Sequence, residues 1–254
     1  MKKVFLVLSL FFAITSLYSQ PYQPNWESLS KHNESPEWFQ NAKLGIYFHW
    51  GVYSVPAFGN EWYPRWMHFE NRREYKNHVE KYGHPGEFGY HDFVPMFKAE
   101  KFDASAWAEL FEKAGARFAG PVAEHHDGFS MWDSEVTPWN AMDKGPKRDI
   151  TGELATELKS RGIKLITTFH HARNLQRYDS LSEGRKYRSS HYPDFKGMPP
   201  GEDDSELNYL YGRIPEAKWN REVWLAKVNE VVDKYQPDII WFDSWLDRVP
   251  ENYR

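Results

Sequence analysis

Residues 117–128, RFAGPVAEHHDG, carry the reading of the fold. Six uncharged residues follow Arg117, and then Glu124-His125-His126-Asp127-Gly128 closes the run with a polar cluster and a turn. A short, continuously apolar run bounded in this way is a strand buried on both faces. The same construction recurs on either side of it. Upstream, residues 43–49 (KLGIYFH) end in His49-Trp50-Gly51. Downstream, residues 163–169 (IKLITTF) run into His170-His171, and residues 238–242 (DIIWF) end in Asp243.

Helical patterns separate these strands. Asp103 is an N-cap for residues 104–114 (ASAWAELFEKA), closed by Gly115. Thr151 is read as the cap of a helix over residues 152–160 that Gly162 ends, and residues 215–235 carry apolar side chains near helical spacing until Pro237. Residues 60–89 are polar and aromatic, with a helix expected over 72–82, and residues 172–214 read as a long loop insertion.

Alternation of helices with strands that are apolar throughout specifies an α/β protein, a parallel sheet packed under helices. All four strands end in ionisable clusters. That favours a TIM-like (β/α)8 barrel, whose reactive side chains gather at the carboxyl ends of the strands. An open doubly wound sheet would concentrate them at one switch point. A barrel needs eight strands and four are legible, so residues 21–254 read as a catalytic barrel domain incomplete at its C-terminus. An unpaired edge and an uncovered inner face then predict association and poor stability of the isolated chain.

Composition narrows the function. The 254 residues carry 32 Lys and Arg against 36 Asp and Glu, a formal net charge of −4, with a pI near 6.3, which excludes a broadly basic nucleic-acid binder. The absence of cysteine excludes disulfides, a thiolate nucleophile and Cys-ligated zinc. There is no Gly-x-Gly-x-x-Gly and no phosphate loop. Aromatic residues reach 17 %, with 12 Trp and 15 Tyr; core packing accounts for many, and a cleft that grips the apolar faces of sugar rings shares the same bias. Residues 1–20 begin Met1-Lys2-Lys3 and continue with about 14 almost wholly apolar residues, short of the roughly 20 a membrane span needs. They read as a signal peptide, and the mature protein as secreted or periplasmic, without membrane attachment.

The strand ends admit two chemistries. A metal site of the hydrolase kind normally shows His-x-His or His-x-x-x-His spacing, whereas only adjacent pairs occur here. A polyol pocket uses neutral imidazoles, indole edges and carboxylates to hold hydroxyls around one ring. Taken singly, each histidine is as well read as a structural one; four loaded strand ends together favour the pocket. Asp243, behind an apolar strand and beside Trp241 and Trp245, is placed to attack an anomeric carbon as a carboxylate nucleophile.

Three segments resemble α-L-fucosidases of glycoside hydrolase family 29: residues 44–67 (LGIYFHWGVYSVPAFGNEWYPRWM), 124–132 (EHHDGFSMW) and 236–243 (QPDIIWFD). The resemblance covers residues 35–254. It implies a retaining exo-glycosidase that removes terminal α-L-fucose from glycans, with a (β/α)8 barrel usually followed by a β-sandwich, and no metal or organic cofactor. It assigns His49, Glu61, Trp62, His125, His126 and Trp241 to the fucose pocket and Asp243 to the nucleophile. In the third strand His170 is the best match, with His171 one residue away. The family's acid/base is commonly a Glu from a later part of the barrel, expected beyond this chain. Glu61 is the remaining candidate in a pocket motif. The rival readings are a fucose-binding protein without turnover and a metal-dependent hydrolase.

Overall fold

The computed structural model describes residues 22–23, 25–32, 35–175, 206–243, 246 and 249–253. The proposed signal peptide, Trp245 and most of the long insertion lie outside the described residues. The described residues up to Asn41 belong to a unit of their own. It contains the helices Trp26–Leu29, capped by Asn25, and Glu37–Asn41.

The larger unit is built on four strands: β1 (Gly45–Phe48), β2 (Phe118–Glu124), β3 (Lys164–Phe169) and β4 (Ile239–Phe242). They lie in the order β1-β2-β3-β4, and every neighbouring pair is parallel. Parallel neighbours need a crossover, which helices Ala104–Lys113, Ile150–Ser160 and Ala226–Tyr235 supply in turn. A sheet wound in one direction with no switch point is the beginning of a barrel rather than a doubly wound layer.

Its curvature is visible in side chains. Tyr47 of β1 and Trp241 of β4 belong to opposite edges, yet their rings stack with centroids 6.0 Å apart. In a flat sheet three strand spacings would separate them by about 14 Å. The sheet therefore curls, and the two rings meet across its concave side. Gly120 permits tight pairing there, since a Cβ on it would stand 1.7 Å from the Ile166 carbonyl oxygen. On the convex side Ala119, Leu165, Ala108, Phe111, Leu154 and Leu158 are buried in one apolar core shared by strands and helices. Burial on this scale, about 25 cal/mol for each Å² of apolar surface, is what holds helices to strands.

The sequence reading needs two corrections. Asp149, not Thr151, caps the second crossover helix: its Oδ1 accepts the Gly152 N–H at 2.8 Å, and Tyr235 Oη donates to Oδ2 at 2.8 Å. Thr151 lies inside the helix and donates its hydroxyl to the Met131 carbonyl at 2.9 Å. Residues 215–235 are not one regular helix. A π-helical stretch, Trp219–Leu225, precedes Ala226–Tyr235 and buries Trp219, Val223 and Trp224 together. The expected Asp103 cap is present, accepting the Ala106 N–H at 2.9 Å. The helix expected over 72–82 is Arg73–Tyr82.

Candidate active site

A bulge in β2 aims the central histidines. Val122 pairs with Thr168, and two residues later Glu124 pairs with Phe169, so Ala123 is the extra residue. One extra residue reverses the alternation of faces beyond it. Glu124 consequently turns to the convex side, where Lys227 of the last crossover helix meets it. His125 turns to the concave side with His170, the residue that follows β3. The ladder continues to the strand ends, where the His170 N–H donates to the Glu124 carbonyl at 2.9 Å and the Asp243 N–H to the Phe169 carbonyl at 3.1 Å.

Four imidazoles converge at this rim. The His49 ring lies edge-on to His125 at 5.3 Å and to His170 at 5.0 Å, and His125 and His170 are 4.5 Å apart. His126 contacts His125 through their Nδ1 atoms and stacks on Trp62 at 4.3 Å. Asp243 Oδ2 approaches His170 Nδ1 at 3.2 Å, without hydrogen-bond alignment. The Asp243 side chain is 51 % exposed and that of His170 only 4 %, so the carboxylate reaches outward from a buried base of rings. A cavity of about 290 Å³ opens beside them, lined by His49, Tyr53, Asn60 and Glu61 among others. That is the small end of ligand-site volumes and suits a single ring.

The electrostatics follow from burial. Desolvation lowers the pKa of His49, partly opposed by Glu61 and Asp243. It brings His170 down to about 4, with His49 lowering it further and Asp243 opposing. Both imidazoles are neutral at pH 7, able to accept from one hydroxyl and donate to another.

Of the residues named from sequence, His49, Trp62, His125, His126, His170 and Asp243 form one connected cluster. Glu61 lies within electrostatic reach of His49 and Tyr53. Trp241 stands apart from the imidazoles, one pleat below Asp243, stacked on Tyr47 and 52 % exposed. His171 does not share the rim. It is fully buried, stacks on Trp224 at 5.8 Å, and its Nε2 lies 3.2 Å from the Trp224 carbonyl.

Three neighbours were not singled out from sequence. Tyr53 meets His125 edge-on at 5.7 Å, and burial, helped by Asp127 and Glu61, pushes its hydroxyl pKa well up. Asp127 accepts the Tyr90 hydroxyl at 2.6 Å and so ties the turn after His126 to the core. Arg173 lies 5.0 Å over the Trp62 ring and feels the charge of Asp243. Tyr53 and Asp127 sit inside the quoted motifs and were legible there; nothing in its local sequence marked Arg173.

Fold and site together define a β/α-barrel protein with a polar pocket at the carboxyl ends of its strands. Comparisons with known proteins agree on which one. A family model described as alpha-L-fucosidase matches residues 10–254. The chain is 35 % identical over 241 residues to a tissue alpha-L-fucosidase of Homo sapiens, covering 91 % of this chain and 44 % of that one. It is 37 % identical over 226 residues to a plasma alpha-L-fucosidase of Homo sapiens, covering 88 % and 42 %. A crystal structure of Thermotoga maritima alpha-fucosidase in complex with fucose superimposes with a TM-score of 0.69 at 33 % identity, covering 91 % of this chain and 51 % of that one. The chain belongs to the alpha-L-fucosidase family. It spans less than half the length of these curated relatives.

Proposed function

We propose that this chain supplies the N-terminal, catalytic-barrel part of a secreted or periplasmic retaining α-L-fucosidase, acting on terminal fucose of glycans after removal of residues 1–20. Asp243 is the nucleophile. Its carboxylate oxygen forms a bond to the anomeric carbon as the glycosidic carbon–oxygen bond breaks and the leaving oxygen takes a proton. Water then attacks the same carbon and releases fucose, with configuration retained after two inversions. His49, Glu61, Trp62, His125, His126, His170 and Trp241 bind the sugar. The family's acid/base is expected from a later part of the barrel, and Glu61 is the candidate proton donor among these pocket residues. The reaction needs no metal or organic cofactor, since two carboxyl groups suffice.

The observation that supports this reading best is the approach of Asp243 to His170 within the His49–His125–His170 cluster. It joins an exposed carboxylate with neutral hydroxyl-binding groups at the ends of β1 to β4. Among the described residues no helix is long and apolar enough to cross a membrane.

The test is turnover of an aryl α-L-fucoside with an activated leaving group, which needs little protonation. Turnover that a chelator leaves unchanged supports the fucosidase. Binding of fucose without turnover supports the sugar-binding rival, and loss to a chelator with recovery on metal supports the metal hydrolase.

A further inference from the structure

The three imidazoles at the rim have a second use that the sugar reading does not absorb. His49, His125 and His170 each offer one ring nitrogen, and these atoms all lie within 4.8 Å of one another. They come from three different strand ends, β1, β2 and β3, so a curved sheet rather than sequence spacing has assembled them. Neither ring nitrogen of His170 has an aligned hydrogen-bond partner among the described residues, although the side chain is almost fully buried. A buried polar atom without such a partner is costly. Its lone pair is therefore available to a ligand in the pocket.

We propose that His49, His125 and His170 bind one divalent first-row transition-metal ion, zinc above all, and that the bound ion shuts the pocket to its sugar. Three nitrogen donors suit zinc, nickel or copper and not magnesium or calcium, which prefer oxygen. Zinc–nitrogen bonds of about 2.0–2.1 Å place tetrahedral donors about 3.3 Å apart, so the cluster closes by at most about 1.5 Å through ring rotation. Burial already keeps His49 and His170 neutral, as metal ligands must be. Asp243, 3.2 Å from His170 Nδ1, stands where a carboxylate commonly supports a ligating imidazole. His49 is only half buried, which leaves a way in from solvent. A nitrogen lone pair that holds the ion is not free to accept a sugar hydroxyl. Blocking thus rests on the fucosidase reading, whereas metal binding does not.

The experiment titrates the full chain with Zn2+ by calorimetry and with Co2+ by visible absorption, in a non-coordinating buffer with Mg2+ as control. One site per chain is expected, with d–d bands of low-coordinate Co2+ and no response to Mg2+. His170→Phe, and separately the less buried His49→Asn, should each weaken the site at least about 100-fold, since loss of a supporting partner alone costs 10–100-fold. His84→Ala, away from the rim, should leave it unchanged. Saturating fucose should raise the apparent Zn2+ Kd. Absence of saturable binding, or unchanged affinity in both rim variants, would overturn the metal site. Metal binding that fucose does not oppose would keep the site and overturn the blocking.

Discussion

The ammonium of Lys227 lies 2.8 and 2.7 Å from the two carboxylate oxygens of Glu124, and both side chains are 1 % exposed. The pair joins the bulged end of β2 to the last crossover helix, directly behind His125 and His126. Ser130 Oγ donates a third hydrogen bond to Glu124, at 2.6 Å. Both oxygens of this buried carboxylate are therefore hydrogen-bonded.

Breaking this pair from one side should be severe. Lys227→Met leaves an uncompensated buried carboxylate and is expected to cost roughly 3–5 kcal/mol of stability. Adding Glu124→Gln should recover a large part of that loss, because the amide carries no charge. Urea midpoints of the two variants and the parent measure both effects; equal midpoints for the single and double variants would contradict the account.

Contact between Tyr47 and Trp241 reports the curl of the sheet. A double-mutant cycle with Tyr47→Ala and Trp241→Ala should give a coupling of about 0.5–1.5 kcal/mol, the usual worth of a stacked aromatic pair. Strict additivity would mean that the edge strands do not meet across the concave face in solution.

In the complete enzyme, Asp243→Gly should lower turnover of an aryl fucoside by several powers of ten while fucose still binds. Added azide should restore part of the rate and yield a fucosyl azide of inverted configuration, because a small anion fits the vacated space. His126→Ala should weaken binding and turnover together, with no rescue. Near-normal turnover in Asp243→Gly would assign the nucleophile elsewhere.

Buried neutral histidines make stability depend on pH in a known direction. His170 and His171 both fall to about 4 in the folded chain, chiefly through desolvation, against about 6.5 unfolded. Between those values the unfolded chain binds protons that the folded chain excludes. Stability is therefore complete above pH 6.5 and declines as pH falls toward 4, by about 3 kcal/mol for fully buried His171. Urea midpoints from pH 7 to 4.5 should trace the decline, and His171→Phe should flatten part of it. A midpoint independent of pH would show that these imidazoles titrate normally when folded.

Local pattern was sufficient for the strands and the caps of least ambiguity. The structure places strands on the apolar runs over 43–49, 117–123, 163–169 and 238–242 within a residue or two; β2 and β3 are buried on both faces, whereas the edge strands β1 and β4 leave Tyr47 and Trp241 about half exposed. Asp103 was legible as a cap because its carboxylate needs only the next turn's N–H. The choice of Thr151 over Asp149 failed for the opposite reason, since Tyr235, distant in sequence, holds the aspartate in place.

What sequence determined by itself, then, is the α/β alternation, the polar load at each strand end and the motifs that mark the family. Each of these is a property of neighbouring residues. Which member of a histidine pair faces the pocket was decided only by tertiary structure. The bulge at Ala123 sends His125 to the concave face, and the register with β2 and β4 sends His170 there and His171 into the Trp224 layer. Curvature likewise brings His49 of β1 to His170 of β3, two strands away. A strand pattern states that alternate residues face alternate sides, but the choice of side is made by pairing partners far along the chain.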